Sequence, residues 1–447
     1  MPSCQTPRVG AELLRSSLPW RDPEQVVLSP LVRGDVVWHD AGADAVSGTS
    51  TVGWGPATTA SVTDGSLAAA WQRLHDEVPP PAGDDARHDD PTGWAGWVGH
   101  GAGRWLLGLP DRPHDGPPDL ALLRLDHVFV FDHAERTVEA VSVGDPAWHD
   151  GLRAAWPAVP ADAVAPAPPR PRPDAARWDV DGETYEDLVR RCQDAIRDGD
   201  AYQLCLTTTV TVPGATDPVE AYRRLRRSSP APHAWFVRVG GHALLCASPE
   251  SALEVGADGV VTSSPIKGTR PRSADPDDDA AAAAELVASE KERAENLMIV
   301  DLVRNDLSRV CRLGTVAVTE LLALHRYAHV HQLVSTVRGQ LRPGATAVDA
   351  LAACFPAGSM TGAPKLRAAQ LLDGWEARPR GVYAGVVGRL GLDGSASLAM
   401  VIRSLVVSPD RTTLGVGGGV TSHSVPADEW QEARHKAAAP LAVLGCR

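Results

Sequence analysis

A basic block, a C-x-x-C pair and a long apolar run are all missing from this sequence, and each absence excludes a class of function. With no Lys/Arg-rich stretch and a formal net charge of −13 over 447 residues, the chain offers no surface suited to nucleic acid as a main partner. Any anion it takes must meet a local basic pocket. No apolar run approaches the roughly 20 residues of a membrane span. The N-terminal MPSCQTPRVGAELLRSSLPW has no apolar core of the signal-peptide kind. A cytoplasmic protein with no membrane partner is therefore expected. The seven cysteines (Cys4, Cys192, Cys205, Cys246, Cys311, Cys354, Cys446) are odd in number and dispersed, which fits reduced, mostly buried thiols. No P-loop or G-x-G-x-x-G spacing occurs, so a nucleotide site is not expected. No repeat of solenoid or propeller period is present either.

What is there is the balance of a soluble globular chain, with 43% apolar and 22% charged residues. Residues 1–155 alternate short apolar runs with turn signals, as in VVLSPLV, DVVWHD and HVFVFDH, and predict a strand-rich lobe whose tryptophans are core. PAPPRPRP at 166–173 cannot sustain a helix or a central strand, so residues 156–180 form a Pro-rich connection to a second unit, 181–447. There, Thr184 with Asp187 suggests a capped helix that ends at Gly199. AYQLCLTTTVTV, HALLCAS, GVVTSSP, GVYAGVVGRL, SLAMVIRSLVVS and TLGVGGGV read as strands, and Ala280 to Leu307 as the longest helix. Many strands with few regular βα repeats predict an α+β class: a large mixed or antiparallel β-sandwich with outer helices.

Two E-x-x-E pairs stand out. Glu292 and Glu295 share one helix face in ASEKERAENLMIV, and Glu429 and Glu432 share another in ADEWQEARHKAAAP, with Lys436 one turn on. Four carboxylates from two helices would suit Mg²⁺, which takes oxygen ligands; a solvated helix face is the plainer reading of either pair alone. Gly417, Gly418 and Gly419 would let backbone N–H groups approach an anion, or simply make a tight turn. Arg403 stands in an apolar strand pattern, MVIRSLVV, where a buried guanidinium needs an acidic partner or a bound carboxylate. In PIKGTRPR, Lys267 precedes Gly268 and is crowded by Arg270 and Arg272. That octapeptide alone also reads as a solvated loop.

Taken in order, PIKGTRPR, KERAENLMIVDLVRNDLSRV, HVHQLVSTVRG, FPAGSMTGAPK, RGVYAGVVG, VIRS and GGGVTSHSVPADEWQEARHKA resemble the chorismate-utilising enzymes. That group holds the component I subunits of anthranilate and aminodeoxychorismate synthases, and the isochorismate and salicylate synthases. The resemblance is strong over 183–441 and weaker in GWAGWVGH and LRLDHVFVFDH. It implies the fold of anthranilate synthase component I, with Glu292, Glu295, Glu429 and Glu432 as Mg²⁺ ligands. It further implies Tyr383, Arg403 and Gly417–Gly419 as carboxylate-binding groups, Thr269 and Lys436 lining the substrate site, and Glu250 as general acid. Asn296 and Gln332 depart from histidines common in the group.

Two positions separate the group's reactions. Isochorismate and salicylate synthases place a water-activating lysine where this chain has Gln203, and an amide cannot take that proton. Gln203 is accordingly assigned to substrate binding. Anthranilate synthases usually read PIAGT, whereas aminodeoxychorismate synthases commonly read PIKGT and use the lysine as nucleophile. The resemblance thus implies amination of chorismate at C4, with Lys267 as nucleophile and the charges of Arg270 and Arg272 helping to keep its amine neutral. None of the seven cysteines sits in the G-x-C-x-G setting of a glutaminase, so ammonia is expected from a separate glutamine amidotransferase subunit. Anthranilate synthase component I is the alternative enzyme, and a non-catalytic chorismate-binding subunit the alternative of another class.

Overall fold

The computed structural model describes residues 12–446 except 82, 84–89, 163, 173 and 328–329. Cys4 with the N-terminal stretch, Pro173 of the Pro-rich connection and His329 of HVHQLVSTVRG lie outside the described residues. Two antiparallel sheets form the body. The larger, of twelve strands, runs from Leu13–Leu18 through Thr137–Val143, His127–Asp132, Thr49–Trp54 and Val36–Asp40. It continues through His233–Val239, His242–Ser248, Ser404–Val407, Arg411–Val420 and Gln203–Pro213 to Gly362–Ala363, with Arg177–Trp178 paired off this path to Gln203–Pro213. The smaller, of ten, starts at Ile266–Pro271 and passes through Val330–Gln340, Val260–Ser263, Ser251–Val255, Ala396–Met400 and Val386–Gly391. It ends through Gly93–Val98 and Leu120–Leu125 at Ala57–Ala60, with Ala317–Arg326 paired off this path to Val330–Gln340.

Both sheets cross the Pro-rich connection. Val36–Asp40 pairs with His233–Val239 in one, and Gly93–Val98 with Val386–Gly391 in the other. Trp97, Leu123, Trp235, Leu244, Val387 and Ala399 fill the space between the sheets, and alternating inward residues of both strands supply them. Outer helices close each far face. Tyr185, Val189, Tyr222 and Ala433 pack on the larger sheet, and Leu67, Leu74, Ile299, Leu307 and Leu351 on the smaller. Trp38, Trp94, Trp97, Trp156 and Trp235 are buried, as core tryptophans should be. Among the described residues no helix is long and apolar enough to cross a membrane, and the six described cysteines are free.

Local signals change four of the sequence expectations. VVLSPLV is not a strand: Asp22 caps a short helix, Pro23–Leu28, with proline in its first turn. The helix expected from Thr184 begins earlier, because the Asp181 carboxylate accepts from the Thr184 N–H and makes Asp181 the cap. The long helix over 280–307 is two helices, Pro276–Ala288 and Glu290–Ser308. Ser289 holds an extended backbone between them and accepts from the Glu292 N–H, the S-x-x-E pattern of a helix start. SLAMVIRSLVVS is also two strands, Ala396–Met400 in the smaller sheet and Ser404–Val407 in the larger.

Candidate active site

The last of these breaks builds the site. The chain passes between the sheets at Val401–Arg403, and it does so again at Pro249–Glu250, between His242–Ser248 and Ser251–Val255. The Met400 N–H donates to the Glu250 carbonyl at 3.0 Å, so the two crossings lie side by side. A cavity of about 630 Å³ opens at this seam, and its wall residues run from Cys205 to Lys436 in sequence. It brings together Glu250, Lys267, Thr269, Glu292, Glu295, Tyr383, Arg403, Gly417, Gly418, Gly419, Glu432 and Lys436.

Lys267 is not a loop residue. Ile266 pairs with Val334 and Thr269 with Gln332, so three steps on one strand match two on the other and Lys267–Gly268 bulge out of the ladder. Gly268 takes φ +84°, and a Cβ there would press on Leu286 and Glu292. The bulge turns Lys267 inward until its side chain is 13% exposed, with Nζ 3.9 Å from Glu295 Oε2. The two arginines do not serve it as expected. Arg270 is paired with Glu285 and with Glu292 at 3.4 Å, and Arg272 with Asp279 at 2.8 Å. Their charge is spent on neighbouring carboxylates rather than on Lys267.

Arg403 is likewise corrected. It is neither buried nor in a strand, but sits exposed in the crossing with a left-handed φ of +53°, a strained conformation for a side-chain-bearing residue. Among the described residues it has no ion-pair partner, and it faces the cavity. The glycine triplet is no turn. Gly417–Gly419 lie inside the strand Arg411–Val420, opposite Thr207, Leu206 and Cys205, and side chains crowd them from the faces. A Cβ on Gly415 would strike the Tyr383 ring, one on Gly418 would meet Glu429 at 3.1 Å, and one on Gly419 would strike Gln203 Nε2. Gln203 itself stands behind Gly419. Both its amide atoms are buried and unpartnered among the described residues, and the same Gly419 Cβ would stand 3.4 Å from Lys267 Nζ.

Glu250 is 8% exposed. Burial pushes its carboxyl up to about 7, although Lys267, a hydrogen bond from Ser359 and Lys436 all favour the anion. A carboxyl poised there can hold a proton near neutrality and give it up in a reaction.

The four glutamates each meet a cation. Glu292 pairs with Arg270, Glu295 faces Lys267, Glu429 lies 3.5 Å from Lys291 and Glu432 lies 2.5 Å from Lys436. Among the described residues no three acid, histidine or cysteine side chains converge as a closed metal cage would. Lys291, which the sequence reading passed over between the glutamates of E-K-E, answers to all four. Burial alone would favour its neutral form, but Glu429, Glu295, Glu432 and Glu292 outweigh that and hold the ammonium. Lys436 also donates to the Gly417 carbonyl at 2.8 Å. Of the two departures from histidine, Asn296 is fully buried, donating to the Leu333 carbonyl and accepting from Ser335 Oγ. It ties helix to strand away from the cavity. Gln332 does line the cavity and donates to Thr269 Oγ1 at 3.4 Å. Sequence reasoning also missed Ser359, which lines the cavity beside Glu250.

A seam between two antiparallel sheets, walled by a lysine turned inward on a bulge, an arginine with no ion-pair partner among the described residues, a poised carboxyl and two acid-bearing helices, forms one polar cavity. The chain belongs to the chorismate binding enzyme family, whose pattern spans residues 34–442. It is 43% identical over 364 residues to an aminodeoxychorismate synthase of Streptomyces pristinaespiralis, covering 79% of this chain and 50% of that one. Identity is 42% to the aminodeoxychorismate synthase of Streptomyces griseus, over 90% of this chain and 57% of that one. An anthranilate synthase component 1 of Streptomyces coelicolor is 39% identical, over 79% of this chain and 72% of that one. The chain thus spans about half the length of the two aminodeoxychorismate synthases. The crystal structure of anthranilate synthase component I from Streptococcus pneumoniae superimposes with a TM-score of 0.73 at 29% identity, over 83% of this chain and 85% of that one. The α+β sandwich expected from the sequence is therefore the chorismate-binding fold.

Proposed function

We propose that this chain aminates chorismate at C4 to give 4-amino-4-deoxychorismate, working in the cytoplasm with ammonia from a separate glutamine amidotransferase subunit. Residues 181–447 carry the chemistry and residues 1–155 form the accompanying lobe. The observation that carries the reading is the bulge at Lys267–Gly268, which spends a strand irregularity and a glycine to aim one lysine into the cavity.

In this reading the carboxylates of chorismate meet Arg403, the Tyr383 hydroxyl and the Gly417–Gly419 strand, with Thr269 and Gln203 shaping the ring end of the site. Lys267 Nζ, its ammonium having first lost a proton to solvent, adds to C2 while both conjugated ring double bonds shift and the C4 hydroxyl leaves with the proton of Glu250 as water. Ammonia then adds at C4, the double bond shifts back, and Lys267 departs from C2. Glu292, Glu295 and Glu432 line the cavity, Glu429 pairs with the cavity-lining Lys291, and the charges of all four act on that ammonium; these residues would hold Mg²⁺, which needs few carboxylates when water and substrate oxygens complete its shell. Bound there, the ion would offset the negative charge of the substrate. Lys436, paired with Glu432 and the Gly417 carbonyl, keeps the second acid pair beside the strand.

Anthranilate synthesis is the second reading, favoured by the anthranilate synthase relative at 39% identity. Incubation with chorismate, Mg²⁺ and an ammonium salt separates the two. Aminodeoxychorismate is the expected product, anthranilate overturns the assignment, and binding without turnover marks a non-catalytic subunit. The metal set has its own test. Glu432→Gln keeps the shape and removes a charge, so half-maximal activity should need roughly tenfold more Mg²⁺ or beyond, the scale even for groups outside the metal's own shell. An unchanged Mg²⁺ titration would remove Glu432 from the set.

A further inference from the structure

Behind Glu250 lies a second, smaller cavity of about 30 Å³. A water needs roughly 10–15 Å³ of such space, so about two fit. Glu250 and Asp306 both face it, with the hydroxyl-bearing Ser251, Ser263 and Ser359 around them. Glu250 and Ser359 also line the large cavity, so the two spaces share a wall.

Asp306 is 4% exposed. One of its oxygens accepts from Lys365 Nζ at 2.6 Å, and the other lies 3.7 Å from Arg309 Nη2. Arg309 is 55% exposed, so one side chain separates the buried Asp306 carboxylate from solvent. Burial holds the Asp306 carboxyl above its ordinary range against the pull of Lys365 and Arg309. The Cys354 thiol is the other titratable group at this cavity. On its own side Glu250 meets Lys267 and Lys436.

The proposed reaction needs a supply of protons. Ammonia enters neutral and the amine product leaves as an ammonium ion, while the hydroxyl leaves as water. Each turnover therefore takes one proton from solvent, and Glu250 is the group that delivers it. With substrate filling the large cavity, the buried carboxyl needs another way to recover its proton.

We propose that the small cavity is that way in: Asp306 passes protons from solvent to Glu250 through water held between them. Asp306 is then a relay residue acting through Glu250, and the proposal rests on the reading of Glu250 as general acid. A purely structural ion pair, tying the helix Glu290–Ser308 to Lys365, is the competing account.

The test compares Asp306→Asn and the double variant Asp306→Asn/Lys365→Met, which leaves no buried ammonium unpaired, in the chorismate and ammonium assay. A relay predicts that kcat falls about tenfold or more in both, less than the roughly 10²–10⁴-fold of a group that itself transfers the proton to substrate, while KM for chorismate is unchanged. The loss should deepen as pH rises, and increasing concentrations of imidazolium buffer should restore the rate of the variants but not alter the native enzyme. A kcat within about twofold of native in either variant, or a loss that buffer concentration does not touch, overturns the relay. Glu250→Gln in the same assay tells the failures apart. If it turns over normally, the acid assignment fails and the relay with it; if it is inactive while the Asp306 variants are native-like, the relay alone fails.

Discussion

Lys267→Ala is expected to lower aminodeoxychorismate formation by roughly a thousandfold or more, with chorismate binding retained. Without the amine, ammonia would have to displace the C4 hydroxyl directly, and the other lysines of the wall, Lys291 and Lys436, are held in ion pairs with Glu429 and Glu432. Lys267→Arg should not rescue, because a guanidinium stays protonated at any working pH. The fold should survive either change, since the ion pair that holds Lys267 is a 3.9 Å approach to Glu295. Native activity has a pH signature from Glu250. Burial raises that carboxyl to about 7, so the acid-dependent step runs at full rate below this value and declines as pH rises through it. A native pH profile flat across neutrality would contradict the role of Glu250. Production of anthranilate by Lys267→Ala, which restores the PIAGT pattern, would show that the lysine also directs which carbon is aminated.

Arg226→Met should cost about 3–5 kcal/mol of stability, the range for breaking a buried ion pair from one side. Arg226 Nε and Nη2 donate to Asp40 at 2.6 and 2.8 Å, Nη1 donates to Glu24 at 3.0 Å, and its guanidinium lies 4.7 Å from the Trp38 ring centre. The side chains of Asp40 and Glu24 are fully buried. Glu24 keeps Arg223 and Arg227 as partners, but Asp40 would retain only the Tyr222 hydroxyl among side-chain donors. This cluster fastens the helix Pro218–Ser228 to elements from before the Pro-rich connection, so its loss should loosen the larger sheet across that connection. A drop in denaturant midpoint equivalent to under 1 kcal/mol would show that the cluster adds little. Adding Asp40→Asn to Arg226→Met should recover part of the loss, because the orphaned charge is then removed.

The two acid pairs were legible because their spacing is local. Two glutamates three apart on a helix must share a face, and that holds for Glu292 with Glu295 and for Glu429 with Glu432. The alternation that marks strands found Gln203–Pro213 and His242–Ser248 for the same reason. What spacing does not carry is where a continuous apolar run changes sheet. Nothing within MVIRSLVV marks the crossing at Val401–Arg403, because strands on either side of it are equally apolar. Arg403 was therefore read as buried in a strand. The glycine triplet was ambiguous in the same way: glycine reads as a turn locally, while its cause is the Leu206–Thr207 backbone, Glu429 and Gln203 pressing on a strand from elements distant in sequence. The break at Ser289 was legible in S-E-K-E as a helix start, but the alanine-rich run before it hid the signal. Pairing of Val36–Asp40 with His233–Val239 joins residues about 200 apart, and no local pattern specifies such a partner.

The covalent step at Lys267 is where the account is most exposed. The direct measurement is mass analysis of the Lys267-containing peptide after incubation with chorismate and Mg²⁺ in the absence of ammonia, which leaves the second step without its nucleophile. An adduct of chorismate less one water on that peptide, lost when ammonium is added and absent in Lys267→Ala, is the expected result. Full turnover with ammonium, no adduct at any time, and near-native activity in Lys267→Ala would contradict it and leave Lys267 as a charged wall of the cavity.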